Sequence, residues 1–179
     1  MMEKREKVSN PLLLVFIIVS LFTLLQFFSP FFQPSGSITD LSGMTLIIDN
    51  EQYWSNIEHP WQDIYRFGDV ICHTKSSRSF FLNQNQLPLC ARCTAIWIGL
   101  SIGLFISVYY LIKNHMIFFF IFVGSIGLLG VDGVGQLLGL WESTNLLRLI
   151  TGLLVGIFTG LAIGLINDEI NGIEKKKSE

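Results

Sequence analysis

Four long apolar runs, set apart by one extended polar stretch and two short breaks, organise the chain. Pro11 to Phe28 is continuously apolar apart from Ser20, Thr23 and Gln26. A helix of that length rises far enough to cross roughly 30 Å of hydrocarbon. Cys90 to Ile112 forms the second run and ends at Lys113-Asn114-His115. Met116 to about Leu140 is the third, and Asn145 to Ile166 the fourth, followed by a polar tail with Lys175-Lys176-Lys177. The pattern predicts an all-α integral membrane protein, a four-span helical bundle. Residues 1–10 form a polar N-terminus, 11–28 the first span, 29–89 a loop, and 90–179 the three remaining helices with a C-terminal tail, all one domain.

The loop has structure of its own. Pro30, Pro34 and Gly36 punctuate its start, and Met44 to Ile48 has a short strand-like composition. Trp61, Ile64, Tyr65, Gly68 and Cys72 recur at helical spacing, with Pro60 suited to the first turn. This predicts a short amphipathic helix over about 59–71, its apolar face against the membrane surface or the spans, with Cys72 turned inward. Ser79-Phe80-Phe81-Leu82 and Gln86-Leu87-Pro88-Leu89 flank Asn83-Gln84-Asn85, which predicts a small hairpin returning Cys90 toward Cys72.

Composition supports the membrane class: 50% of the residues are hydrophobic and 15% charged, where a soluble domain carries about a quarter charged. A net charge of −2 without a basic, aromatic-interleaved stripe argues against nucleic-acid binding. Charge placement predicts orientation. Lys4, Arg5, Lys7, Lys113 and Lys175 to Lys177 fall outside the spans on one side. The loop holds only Arg66, Lys75 and Arg78, beside six carboxylates. By the positive-inside rule both termini are cytoplasmic, in the cytoplasmic membrane, and the loop is extracytoplasmic. A basic start before an apolar run also suits a cleaved signal peptide. The run is longer than a usual signal core, however, so an uncleaved anchor is the expectation.

Candidate chemistry gathers between Ile71 and Thr94, which holds all three cysteines. Sixteen residues separate His73 from Cys90, and two separate Cys90 from Cys93. Cys72, His73, Cys90 and Cys93 together would make a closed zinc site, and the three cysteines without His73 an open one. Cys90-Ala-Arg-Cys93 also suits a thiol–disulfide redox pair with Cys72 as exchange partner. A third reading is a disulfide-stapled loop, without enzymatic activity, that contacts lipid head groups. The odd cysteine count disfavours a pure disulfide framework. Transport is the weakest reading, because one polar end offers no path through the bundle.

The spans add polar groups at the same level. Asp132 and Gln136 share a helical face, and Arg148 lies one turn into the fourth span at the depth of Asp132, so an Asp132–Arg148 pair is expected. Ser143 or Thr144 can cap the fourth helix. Asp132, Gln136, Glu142 and Asn145 would line a polar pocket, with Asp132, Glu142 and His73 as catalytic candidates. Arg78, Arg92 and Arg148 would contact an anion or the membrane lipid. Gly152, Gly156, Gly160 and Gly164 recur every fourth residue in the fourth run. Gly99 and Gly103 in the second, and Gly124, Gly127 and Gly130 in the third, offer matching surfaces for close packing or for a homo-oligomer.

Taken together, Cys72-His73, Arg78-Ser79-Phe80-Phe81, Pro88-Leu89-Cys90-Ala91-Arg92-Cys93-Thr94, Val131-Asp132-Gly133 with Gln136, Glu142-Ser143-Thr144-Asn145 with Arg148, and Thr151-Gly152 resemble the prokaryotic membrane-protein family called domain of unknown function 2085. The resemblance runs from about Ile64 to Leu165. Ala95 stands where that family's pattern has Gly, and Thr74 where it often has Gln. Neither departure removes a candidate ligand. The resemblance implies the fold and the choice of residues; it implies no reaction.

Overall fold

The computed structural model describes residues 2–5, 7–41, 43 and 46–178, with 172–178 described by backbone alone. Strand β1 (Met2–Lys4) precedes helix α1 (Asn10–Phe28), which runs into a 3-10 turn at Ser29–Phe32. The loop contains α2 (Glu51–Trp54), α3 (Trp61–Ile71), a 3-10 turn at Ser76–Arg78, and a hairpin of β2 (Ser79–Leu82) and β3 (Asn85–Cys90). Helix α4 (Ala91–Tyr109), strand β4 (Tyr110–Ile112), α5 (His115–Leu137) and α6 (Asn145–Ser178) complete the chain. Among the described residues four helical stretches are long and apolar enough to cross a membrane: Asn10–Phe32, Ala91–Tyr109, His115–Leu137 and Asn145–Asn171. The expected polar tail is not a separate segment, because α6 continues unbroken through it to Ser178.

The centre of the bundle is the seam between α4 and α6. A Cβ added at Gly99 would strike the Leu153 carbonyl, and one at Gly103 the Ile157 carbonyl. From the other side, Gly156 abuts the Ile96 carbonyl, Gly160 the Leu104 amide, and Gly152 the Arg92 carbonyl. Glycine at every fourth position therefore removes the side chains that would hold the two backbones apart. Gly124, Gly127 and Gly130 of α5 behave otherwise: a Cβ at any of them would meet nothing within 4 Å. The expectation that they form a matching surface is corrected within this chain, since α5 turns that face away from its neighbours. Helix α1 packs on α4 through Phe22 against Trp97 (ring centroids 4.6 Å apart) and through Thr23 Oγ1 at 3.1 Å from Ser101 Oγ.

Both ends of the chain meet at one end of this bundle. Strand β1 pairs antiparallel with β4, Met2 opposite Ile112 and Lys4 opposite Tyr110. Arg5 donates to both carboxylate oxygens of Asp168 at 2.6 and 2.9 Å, and to the Ser107 carbonyl at 3.0 Å. Lys113 pairs with Glu3 at 2.8 Å. This small sheet was not legible in the sequence, because three-residue strands carry no periodicity to detect.

The loop caps the opposite end. The strand expected at Met44–Ile48 begins on Met44 and Thr45, which lie outside the described residues. Leu46 to Ile48 are irregular and exposed, and Leu46 has φ 68°. Ile38, Leu41, Trp54, Ile57 and Tyr65 form a buried cluster in which the Trp54 and Tyr65 rings stack 5.1 Å apart. Helix α3 thus places its buried face on the loop's own core and on β3, while Phe67 reaches Phe22 of α1. Asp69, fully buried, accepts from Asn50 Nδ2 at 2.6 Å and Trp54 Nε1 at 2.8 Å. The hairpin turns at Asn83 and Gln84, both at positive φ (51° and 59°), the conformation of a two-residue type I′ turn. Asn85 then binds the carbonyls of Pro30 and Pro34, both at 3.0 Å, fastening the hairpin to the end of α1. Gly68 lets α3 lie directly on β3, since a Cβ there would strike the Pro88 carbonyl.

Gly103→Ala and Gly156→Ala should each cost roughly 1–3 kcal/mol, because backbone atoms face the new methyl and cannot rotate away. Gly124→Ala and Gly127→Ala should stay within about 0.5 kcal/mol of the parent. Unfolding midpoints in mild detergent measure the contrast; equal losses at all four positions would show that the seam is not special.

Candidate metal centre

Three elements bring the cysteines together. Cys72 ends α3, Cys90 closes β3, and Cys93 lies in the first turn of α4. Their sulfurs all lie within 4.8 Å of one another, with Cys72 and Cys90 buried and Cys93 half-buried. All three are free thiols in the structure. The Cys90 amide donates to Cys72 Sγ at 3.3 Å, and Leu89 and Trp97 pack around the group. The close passage of α3 over β3 at Gly68 makes this possible: four residues later, Cys72 lies beside Cys90.

Charge within the cluster is unequal. The thiols of Cys72 and Cys93 turn toward Cys90 and hold its sulfur well below the ordinary thiol range, with help from the amides of Cys93 and Arg92 at the start of α4. Cys72 moves the other way, since it donates to Cys90 and Cys93 and is itself buried. A metal cation bound by these sulfurs would replace their protons.

His73 does not join them. Its side chain is exposed, and it lies outside the group of converging sulfurs. Cys72 is in extended backbone (φ −136°, ψ 145°), where successive side chains point to opposite faces. Turning Cys72 inward therefore turns His73 outward, and the candidate donors are three sulfurs rather than three sulfurs and an imidazole.

The polar groups of the spans gather beside the cysteines, with one exchange of partners. Asp132, 4% exposed, pairs with Arg92 of α4 and accepts from Ser143 Oγ at 2.9 Å. The expected Asp132–Arg148 pair does not form. Arg92, in the first turn of α4, takes that carboxylate, and Arg148 donates instead to Asn145 Oδ1 at 2.7 Å. With its amide oxygen turned toward the guanidiniums, Gln136 accepts from Arg148 Nη2 at 2.9 Å and from Arg78 Nη2 at 3.3 Å. Thr144 caps α6: its hydroxyl accepts from the Leu147 amide at 3.2 Å. Glu142 is exposed, whereas Asp132 and Arg148 are buried and Gln136, Asn145, Arg78 and Arg92 are half-buried. Two supports went unnoticed in the sequence: Ser143 as the partner of Asp132, and Gln86, which is fully buried and donates to the Thr74 carbonyl and to Ser79 Oγ at 3.0 Å. The position of Gln86, next to a turn and opening an apolar strand, was the available signal.

The fold and this cluster define a multi-span membrane protein with three buried or half-buried cysteines converging at one end of the bundle. The chain belongs to the family described as "Predicted membrane protein (DUF2085)", whose pattern matches residues 72–162. That stretch runs from the first cysteine to the end of the glycine seam. Among curated proteins, it is 32% identical over 149 residues to an uncharacterised protein of Methanocaldococcus jannaschii, covering 80% of this chain and 84% of that one. It is 35% identical over 97 residues to an uncharacterised protein of Methanothermobacter thermautotrophicus, covering 52% and 82% respectively. No solved structure matches.

The exchange of partners at Asp132 has a direct check. A double-mutant cycle on Arg92→Ala and Asp132→Ala should return a coupling within about 0.5–3 kcal/mol, since the two touch. Removing Asp132 alone should cost more than the coupling, because a buried guanidinium loses its counter-charge. The cycle on Asp132→Ala and Arg148→Ala should give the smaller coupling; the reverse order in thermal unfolding would restore the pair expected from sequence.

Proposed function

We propose that Cys72, Cys90 and Cys93 hold one thiophilic metal ion, zinc by the chemistry of the donors, at the extracytoplasmic face of the membrane. The observation that carries this reading is the convergence of three free sulfurs within 4.8 Å from three separate elements. Tetrahedral zinc with bonds of about 2.3 Å places its sulfurs about 3.8 Å apart, inside that separation. A disulfide would use two sulfurs and strand the third in a buried site.

With His73 turned away, the protein supplies three donors and leaves a fourth position for an exchangeable ligand. Such an arrangement is the usual basis of chemistry at zinc, whereas four protein donors make a structural site. Arg92 interacts with Cys93 and Arg148 with Cys90 through charge, and Asp132 pairs with Arg92. When bound, the metal would supply Lewis acidity there; Asp132, Ser143 and Arg92 would fix the surrounding polar groups.

Protein purified in mild detergent without chelator should carry about one metal per chain, with thiols that resist alkylation until chelator is added. Cys72→Ala, Cys90→Ala and Cys93→Ala should each weaken affinity by more than about 100-fold, beyond the ~10–100-fold that an outer partner of a ligand contributes. His73→Ala should leave occupancy unchanged. A metal-free protein with one free thiol, and two more released on reduction, would replace this reading with the redox one.

We place the cysteine end outside the cytoplasm on the asymmetry of basic residues. The pairing of Met2–Lys4 with Tyr110–Ile112, of Glu3 with Lys113 and of Arg5 with Asp168 supports a single side for both termini. Impermeant thiol-reactive dye should label a cysteine introduced at Glu51 in intact cells and should fail to label one introduced at Glu3. The opposite pattern would invert the site to the cytoplasmic face.

A further inference from the structure

The cationic groups beside the cysteines outnumber what the protein gives them. Arg78, Arg92 and Arg148 come from the loop, α4 and α6, and Arg148 lies within charge-interaction range of both other arginines. Among the described residues, the carboxylate that pairs with any of them is Asp132, engaged by Arg92. Arg148 is 5% exposed, yet its hydrogen-bond acceptors are neutral amide oxygens, Asn145 Oδ1 and the Gln136 oxygen. Arg78 converges on that same Gln136 oxygen at 3.3 Å. Arg92 Nε is buried with no partner at all.

Such an arrangement is unfavourable as an end in itself. Two guanidiniums of like charge aim at one neutral oxygen at the edge of a low-dielectric region, where repulsion is weakly screened. A pair that served only to join helices would match each cation with a carboxylate, as Arg5 and Asp168 do at the other end of the bundle. The cysteine cluster does not restore balance. Even three thiolates around a divalent metal would carry only one negative charge. With Asp132 that makes two negative charges against three arginines, and a positive excess remains.

We propose that Arg78, Arg92 and Arg148 form a binding site for a phosphate group, with the Gln136 oxygen occupying the position where ligand oxygens are drawn in. Guanidinium forks match the spacing of phosphate oxygens and bind them in pairs. Three forks from three directions suit a tetrahedral dianion better than a planar carboxylate with two oxygens. The site lies at the first turn of α6, the end of a candidate span. A lipid head group and a free phosphate or phosphate ester present the same chemistry to it. The assignment does not depend on the metal, because the positive excess is present with or without one.

Thermal unfolding of the full-length protein in mild detergent tests the site with three probes: inorganic phosphate against equal ionic strength of chloride, dioctanoyl phosphatidate, and dioctanoylglycerol as the phosphate-free control. A phosphate-bearing probe should raise the midpoint saturably while chloride and dioctanoylglycerol do not. Response to phosphatidate alone assigns a lipid source, to inorganic phosphate alone a soluble one, and to both a site that reads the phosphate itself. Arg78→Gln, on a half-buried member of the set that no carboxylate engages, should weaken the apparent affinity at least about tenfold. Arg78→Lys, which keeps the charge without the fork, should fall between, and it carries the test if Arg78→Gln does not fold. Metal content is measured on each variant. Loss of phosphate binding with metal retained places phosphate on the arginines. Loss of both together would put the phosphate on the metal and overturn the assignment, as would an unchanged response in Arg78→Gln or no response to either phosphate probe.

Discussion

The contact between the backbones of α4 and α6 is the constraint on which the rest depends. Neither helix could approach the other so closely with side chains at Gly99, Gly103, Gly152, Gly156 and Gly160. Helix α4 begins with Arg92 and Cys93, and α6 begins with Asn145 and Arg148. Drawing the two helices together at their loop end therefore sets the spacing of cysteine, arginine and amide groups that no local feature could set. Small residues matter here for a reason peculiar to membranes: lipid is as apolar as the side chains, so burial drives little association and close packing must do more.

The loop completes what the seam begins. Its fold is held by polar bonds as much as by its aromatic core. Asn85 ties β3 to the turn after α1, Gln86 ties it to Thr74 and Ser79, and Asp69 gathers Asn50 and Trp54. Each of these groups is buried, so each would be costly without its partners. The product is a rigid placement of Cys72 against Cys90, with Gly68 giving α3 the room to lie on β3. The sulfurs and the guanidiniums then share one end of the bundle.

Much of the architecture could be read in the chain. The four spans follow from apolar runs of the right length. The hairpin follows from Asn83-Gln84-Asn85 between two β-prone segments, and α3 from the recurrence of Trp61, Ile64, Tyr65 and Gly68. The gathering of cysteines was legible because α3 and the hairpin both end on a cysteine, so any compact loop brings them close. The small sheet of Met2–Lys4 with Tyr110–Ile112 was not, since three residues carry no pattern and their pairing is more than a hundred positions apart in sequence.

What the chain determined by itself is the set of faces: which residues share a side of each helix, and which end of each span carries the polar groups. Periodicity fixes a side chain's direction relative to its own element and nothing beyond it. Only the tertiary structure decided which face met which. It gave Asp132 to Arg92 instead of Arg148, because the partner comes from α4, which spacing along α5 and α6 cannot reveal. It turned Gly124, Gly127 and Gly130 of α5 outward although their pattern resembles that of α6. At Cys72 and His73, the point where helix gives way to extended chain settled which of two adjacent donors faces the cluster. Helix ends and neighbour choice depend on the balance of packing across the whole fold, and that balance is written in no single stretch of sequence.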